Sequence, residues 1–376
     1  MGEGTLTFKY LGVPIKTKRL NAKDCRPLID KIVQRIRNLG ARKLSYAGRL
    51  VLIQSVLNTL YNYWASMFIL PQGFIHRIEG ICRNFLWDGG VDYMRNPLVS
   101  WDKICKPKNE GDLGLKNDSL WNQAAVGKLV WWIALKSDHL WVKWVNQVYI
   151  KGKDWLDYHP TSNSSWSSRK ICQTKEMFLN SYQQQIWTSD KGYTIARGYE
   201  MIRLRGDKIS WSALIWNKLT IPKHGFLAWI YHHNILNTNE KLHNLGISET
   251  DTCCICGMAT ESSKHLFFEC VYSRRVLQHL KRMIGTIFPH TDSITWRLNL
   301  KGSDLWTNGI NAFYNASIHY IWRQRNQSKH ELTILHPQKL ATLICKEMKM
   351  HILSYPLIMM GNQDRSLMDR LKQLQV

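Results

Sequence analysis

A chain of 376 residues with 44% hydrophobic content and 17 tryptophans has material for more than one packed core, which excludes an intrinsically disordered class. No apolar run reaches bilayer length, Met1 to Leu11 lacks the apolar stretch of a signal peptide, and the nine cysteines are odd in number and mostly scattered; a membrane protein and a secreted disulfide scaffold are therefore not expected, and the location expected is intracellular, nucleus or cytoplasm. With 51 Lys and Arg against 28 Asp and Glu, the net charge of +23 suits a polyanionic partner, RNA or DNA, while also fitting a merely soluble basic surface.

In chain order, residues 22–38 place Leu28, Ile29, Ile32, Val33, Ile36 and Leu39 on one face at helical spacing, with Lys23, Arg26, Lys31, Arg35 and Arg37 opposite. Lys23, Lys31, Arg35 and Arg37 are the candidate phosphate contacts. Ser45 stands where an N-cap belongs, before Leu50 to Phe68, which is apolar nearly all round and predicts a central packed helix closed by Pro71 and Gly73. Phe74 to Trp87 predicts a third helix, with Asp88-Gly89-Gly90 as its stop. A loop-rich stretch over 96–117 precedes a helical region, 120–149, whose Trp121, Trp131, Trp132, Trp141 and Trp144 read as core packing. Residues 159–168 are the most linker-like in the chain. Two helices follow around Pro222, another near Tyr272 to Ile284, and the last ninety residues are again helical, Trp322-Arg323-Gln324-Arg325-Asn326 being their most basic point. The fold class expected is mostly α.

Between these helices lies the most informative motif, Cys253, Cys256, His265 and Cys270, a C-x2-C, x8, H-x4-C array. Three thiols and an imidazole in two close pairs suit one tetrahedral structural zinc, Zn(2+), with no position left for a catalytic water. Core packing is the competing reading, since Leu266, Phe267 and Phe268 are apolar neighbours and cysteine is often a small buried hydrophobe. That competing reading is adopted for the isolated Cys25, Cys82, Cys105, Cys172 and Cys345. Cys254 is taken as a neighbour of the site and not a ligand. Residues five apart on a regular helix point about 140° away from each other. His265 should therefore stand at or before the start of the helix carrying Cys270, or the first turn must be distorted. His232-His233 lacks a carboxylate at helical spacing and reads as packing or surface histidine; Gly111-Asp112-Leu113-Gly114 is too short for a phosphate loop.

The ordered residues Tyr10-Leu11-Gly12-Val13-Pro14-Ile15, Leu44-Ser45-Tyr46-Ala47-Gly48-Arg49, Phe85-Leu86-Trp87 and Trp101-Asp102-Lys103-Ile104-Cys105-Lys106-Pro107-Lys108 resemble the end of a plant LINE-type (non-LTR) retrotransposon reverse transcriptase. Trp216, Ile221-Pro222-Lys223, Trp229, Leu245-Gly246, Cys253, Cys256, Glu261, His265-Leu266-Phe267 and Cys270 resemble the zinc-binding domain that follows it. The resemblance implies a primer-grip remnant at 1–20, a thumb-like helical region at 21–115, a Trp-rich connector and linker at 116–204, the zinc-binding domain at 205–290 and a basic helical tail at 291–376. It also implies a truncated polymerase that binds nucleic acid without catalysis, because the family's palm aspartates precede Leu-Gly-Val-Pro and no Asp-Asp pair occurs in this sequence. A zinc-stabilised helical module that binds another protein, through the Trp-rich 120–150 region, is the alternative.

Overall fold

The computed structural model describes residues 8–10, 13–15, 20–38, 44–92, 97–162, 164–179, 192–285, 305–354, 369 and 371–373. Leu11 and Gly12 of the hairpin motif, Leu39 of the first apolar face, and residues 291–304 with most of 355–376 of the expected tail lie outside them. The described chain is mostly helical. A short antiparallel hairpin, β1 (Phe8–Tyr10) with β2 (Val13–Ile15), pairs Phe8 with Ile15 and Tyr10 with Val13. Contacts divide the chain into two compact units, Met1–Leu44 with Arg49–Lys106 and Gly114–Gly206, and Ser45–Gly48 with Pro107–Leu113 and Asp207–Val376.

In the first unit, α1 (Ala22–Asn38) opens with a reciprocal cap: Asp24 N donates to Asn21 Oδ1 at 3.1 Å and Asn21 N to Asp24 Oδ2 at 3.0 Å. Its Cys25, Leu28, Ile32 and Ile36 are buried, while Lys23, Arg26, Lys31, Arg35 and Arg37 are exposed. The stretch expected as one central helix is instead three pieces, α2 (Tyr46–Leu52), a π turn at Ile53–Leu57 and α3 (Asn58–Met67). It is also one-sided: Ile53, Leu57, Tyr61, Trp64 and Ala65 are buried, Val51 and Tyr63 exposed. The polar Gln54, Ser55 and Thr59 fall on the wet side, which the apolar count had masked. Ser45 does cap α2, its Oγ accepting from Gly48 N at 3.2 Å.

The chain leaves α3 in extended conformation at Phe68, and Gly73 belongs to the first turn of α4 (Gln72–Asp88). Gly89, at φ 81°, ends α4. After the short α5 (Trp101–Ile104) comes α6 (Asp118–Ala134), which packs against α3 and α4. Asn122 of α6 repairs the open end of α3: its Nδ2 donates to Ala65 O and Phe68 O, and its Oδ1 accepts from Leu70 N at 2.9 Å. Also in this unit are α7 (Leu140–Val145), α8 (Trp166–Leu179) and α9 (Ile195–Ile202). Residues 164–168 of the linker-like stretch carry straight into α8. The five tryptophans are not all core. Trp131 is buried, but Trp141 and Trp144 are 36% and 49% exposed, because Val142 and Val145 take the inward face of α7.

The second unit is built on α10 (Ser212–Ile215), α11 (Pro222–His232), α12 (Asn239–Asn244), α13 (Val271–Ile284), α14 (Leu305–Glu331) and α15 (Pro337–Leu353). Pro222 occupies the first turn of α11, where its missing N–H costs nothing. Helices α14 and α15 pack on α11 and α13 and bury Ile310, Phe313, Ile344 and Met348, so residues 305–353 are core of this unit and not an appended tail. His232 stacks on Trp211 at 4.9 Å, and His233 Nε2 lies 2.8 Å from Gly111 O, which also accepts from Trp229 Nε1 at 2.9 Å. Both histidines are packing groups. The isolated Cys25, Cys82, Cys105, Cys172 and Cys345 are all buried. No helix among the described residues is long and apolar enough to cross a membrane.

Candidate metal centre

The first pair of ligand candidates is set by a tight turn. Thr252 and Thr260 form an antiparallel bridge, Cys253 N donates to Ala259 O at 2.8 Å, and Gly257 N returns to Cys253 O at 2.8 Å. Gly257 sits at φ +66°, a conformation that L side chains rarely adopt, which lets the chain reverse within five residues and turn Cys253 and Cys256 toward one point.

The second pair is brought together by an irregular helix start. Ser262 Oγ accepts from His265 N at 3.0 Å, and His265–Glu269 then forms one π turn closed by Cys270 N to His265 O at 2.7 Å. An i to i+5 turn carries residues five apart back to nearly the same side, which a regular α turn would separate. The expected distortion is this π turn. Cys270 itself precedes α13, at ψ 132°, as its N-cap residue.

The four donor atoms of Cys253, Cys256, His265 and Cys270 lie within 4.8 Å of one another. Cys256 Sγ and His265 Nε2 are 3.4 Å apart, close to the roughly 3.5 Å edge that a tetrahedron with zinc bond lengths of about 2.3 and 2.0 Å requires. Cys253 and Cys270 are buried and His265 is 9% exposed. A thiol hydrogen bond from Cys253 to Cys270 raises the first and lowers the second, burial adding to the rise at Cys253 and opposing the fall at Cys270. The backbone N–H groups of Ile255 and Cys256 bear on the Cys253 sulfur, and those of Tyr272 and Ser273, at the start of α13, bear on Cys270. N–H groups aimed at sulfur favour the thiolate, the form that binds a metal. The donor set therefore fits a closed, soft-ligand cation site with no open position.

Behind the cluster is a buried ion pair that sequence reasoning missed. Glu261 is fully buried, and its Oε1 accepts from Arg325 Nη2 at 2.7 Å, Arg325 Nε at 2.9 Å and Asn239 N at 2.9 Å. Its Oε2 accepts from Cys254 N and Cys254 Sγ, each at 3.2 Å. Cys254 thus faces away from the donor cluster and is absent from it. Arg325, part of the most basic point of the last ninety residues, is 3% exposed. The signal was present: Ile318, Ile321 and Arg325 share the buried stripe of α14, and an arginine on a core stripe demands an acid.

Residues 193–276 match the family of zinc-binding domains in reverse transcriptases. All four donors fall inside the matched segment. The chain is also 29% identical over 163 residues to a putative ribonuclease H protein of Arabidopsis thaliana, an overlap of 42% of this chain and 26% of that protein. The chain thus spans about a quarter of that relative's length. The candidate phosphate contacts Lys23, Lys31, Arg35 and Arg37 belong to the first unit, where all four are exposed along α1.

Proposed function

We propose that this protein binds RNA or DNA as a zinc-stabilised, non-catalytic part of the reverse-transcriptase kind, of the plant LINE type. The observation that carries the reading is the convergence of Cys253, Cys256, His265 and Cys270 inside a segment matching a reverse-transcriptase zinc-binding family. The cation would be a structural zinc, because three sulfurs and one nitrogen suffice to fill its four-coordinate shell. Zinc when bound supplies folding energy; the chain's own residues supply the ligands, the N–H groups toward sulfur and the Glu261–Arg325 brace. Contact with nucleic acid is assigned to the thumb-like region, through Lys23, Lys31, Arg35 and Arg37, with net charge +23 providing the long-range attraction. No adjacent pair of aspartates occurs in these 376 residues, so the proposal gives them no part in two-metal nucleotidyl transfer.

Binding of one labelled RNA and one unrelated DNA across a salt series tests this. Replacing Lys23, Lys31, Arg35 and Arg37 by Gln should weaken both complexes alike and flatten the log–log salt slope by about three to four units at most. An unchanged slope would show that this face is only solvated. A protein-interaction module is the second reading, favoured by the exposed Leu140, Trp141 and Trp144 of α7; binding through an apolar face would be nearly indifferent to salt.

A further inference from the structure

Beneath α7 lies a cavity of about 110 Å³ walled by Trp141, Trp144, Tyr149, Trp155 and Tyr158. Its floor is rigid for a specific reason. Lys175 of α8 is 1% exposed, and its ammonium donates to Trp155 O at 3.1 Å, Leu156 O at 2.8 Å and Tyr158 O at 2.7 Å, spending all three protons on the backbone of the loop that forms the floor. The same ammonium sits 5.1 Å from the Trp155 ring, which stacks with Tyr158 at 6.0 Å. Folding thus holds a preformed aromatic slot beside two tryptophans that remain 36% and 49% exposed.

Three features narrow the occupant. The slot has the size of one planar ring system, too small for a helix or an extended peptide. It offers donors and no acid: Ser165 and Ser168 hydroxyls lie at its edge, and no carboxylate is among the described lining residues. Exposed cations flank it in the chain, Lys151 and Lys153 between Tyr149 and Trp155, and Arg169 next to Ser168. That loop carries two acids, Asp154, which is engaged in its own turn, accepting from Leu156 N at 2.8 Å, and Asp157, exposed between Trp155 and Tyr158 and outside the lining.

We infer that this cavity takes one unpaired base of a single-stranded nucleic acid. The base stacks on Trp144 and Trp141, its ring oxygens and nitrogens accept from the serine hydroxyls, and its flanking phosphates meet Lys151, Lys153 and Arg169. The inference rests on the nucleic-acid reading above and adds a site to it.

The test uses the full chain and a labelled single-stranded polyuridine RNA of about twelve nucleotides, compared with its abasic counterpart and with the corresponding duplex. Trp144→Ala should weaken single-strand binding roughly ten-fold with the salt slope unchanged, while Trp144→Phe, which keeps a stacking face, should restore most of it. The abasic strand should bind the wild-type chain as weakly as the intact strand binds Trp144→Ala. Far-ultraviolet circular dichroism checks that the half-exposed site has been changed without unfolding. Equal affinity of intact and abasic strands, or a Trp144→Ala affinity within about two-fold of wild type while salt-sensitive binding persists, overturns the base site and leaves the nucleic-acid reading standing. Quenching of tryptophan fluorescence by a phenylalanine-bearing peptide but not by RNA would assign the cavity to a protein partner. A wild-type chain that holds no nucleic acid at low salt contradicts both readings.

Discussion

Glu261 joins the metal loop to two helices with its two oxygens. Oε1 holds Arg325 of α14 and the start of α12; Oε2 holds the backbone and thiol of Cys254, while Ser328 Oγ of α14 donates to Cys254 O at 2.8 Å. Removing one partner of such a pair leaves an unpaired buried charge, which costs on the order of 3–5 kcal/mol. Arg325→Leu should therefore destabilise the chain by about that amount in urea unfolding, although the substitution removes one charge from a protein with an excess of them. A loss under about 1 kcal/mol would mean that Arg325 is a solvated surface cation after all. The four metal-ligand candidates were legible in the sequence because clustered cysteines have few other uses. Of the brace only half was, Arg325 on an apolar stripe; its partner was not, because Glu261 lies 64 residues away and one sequence does not reveal such pairing.

Helix boundaries follow local chemistry where one residue decides them. Asn21 with Asp24, Ser45, Gly89 and Pro222 each cap or start a helix with the backbone groups their types provide. The π turns at Ile53–Leu57 and His265–Glu269 were harder to read, since a shift from i+4 to i+5 bonding leaves no mark in an apolar run; the H-x4-C spacing called for either a distorted turn or His265 ahead of the helix, and both are found. Helices α11, α14 and α15 meet around two histidines, His224 buried and His319 half-buried: His224 Nε2 is 3.0 Å from Glu347 Oε2, His319 is tilted against it at 4.7 Å, and Lys223, Tyr320, Arg323 and His351 complete the titratable and charged surroundings. Burial, with His224 and Lys223 adding repulsion, pushes His319 down to about 3, and burial lowers His224 despite Glu347. Burial pulls Glu347 up, but hydrogen bonds from His224, Lys223 and Tyr320 outweigh it and hold this carboxyl below the ordinary range.

Both histidines are thus neutral when folded and take a proton near pH 6.5 when unfolded, so the unfolded chain binds more protons below that pH and stability falls as pH drops from about 6.5 toward 3. Glu347 adds its own loss as pH falls through the ordinary carboxylate range and below it. Urea unfolding of wild type and His319→Gln between pH 7 and pH 5 separates the two. The variant should show the shallower decline; parallel curves would mean that His319 takes up its proton alike in the folded and unfolded states.

At the scale of the whole molecule, a fragment ending at residue 290 would discard α14 and α15, and with them Arg325 and the helices that bury the second unit. The metal is best tested in the full chain. Closing Cys253, Cys256, His265 and Cys270 around zinc should contribute binding energy as folding energy, about 10–16 kcal/mol apparent for small zinc fingers at neutral pH. The measurement that bears most directly on this account is the zinc content of the 376-residue chain purified without chelator, beside Cys254→Ser, Cys256→Ser and Cys270→Ser. The account predicts one zinc per chain in wild type and in Cys254→Ser, with tight binding abolished in the other two; no zinc in wild type, or equal loss in Cys254→Ser, would contradict it.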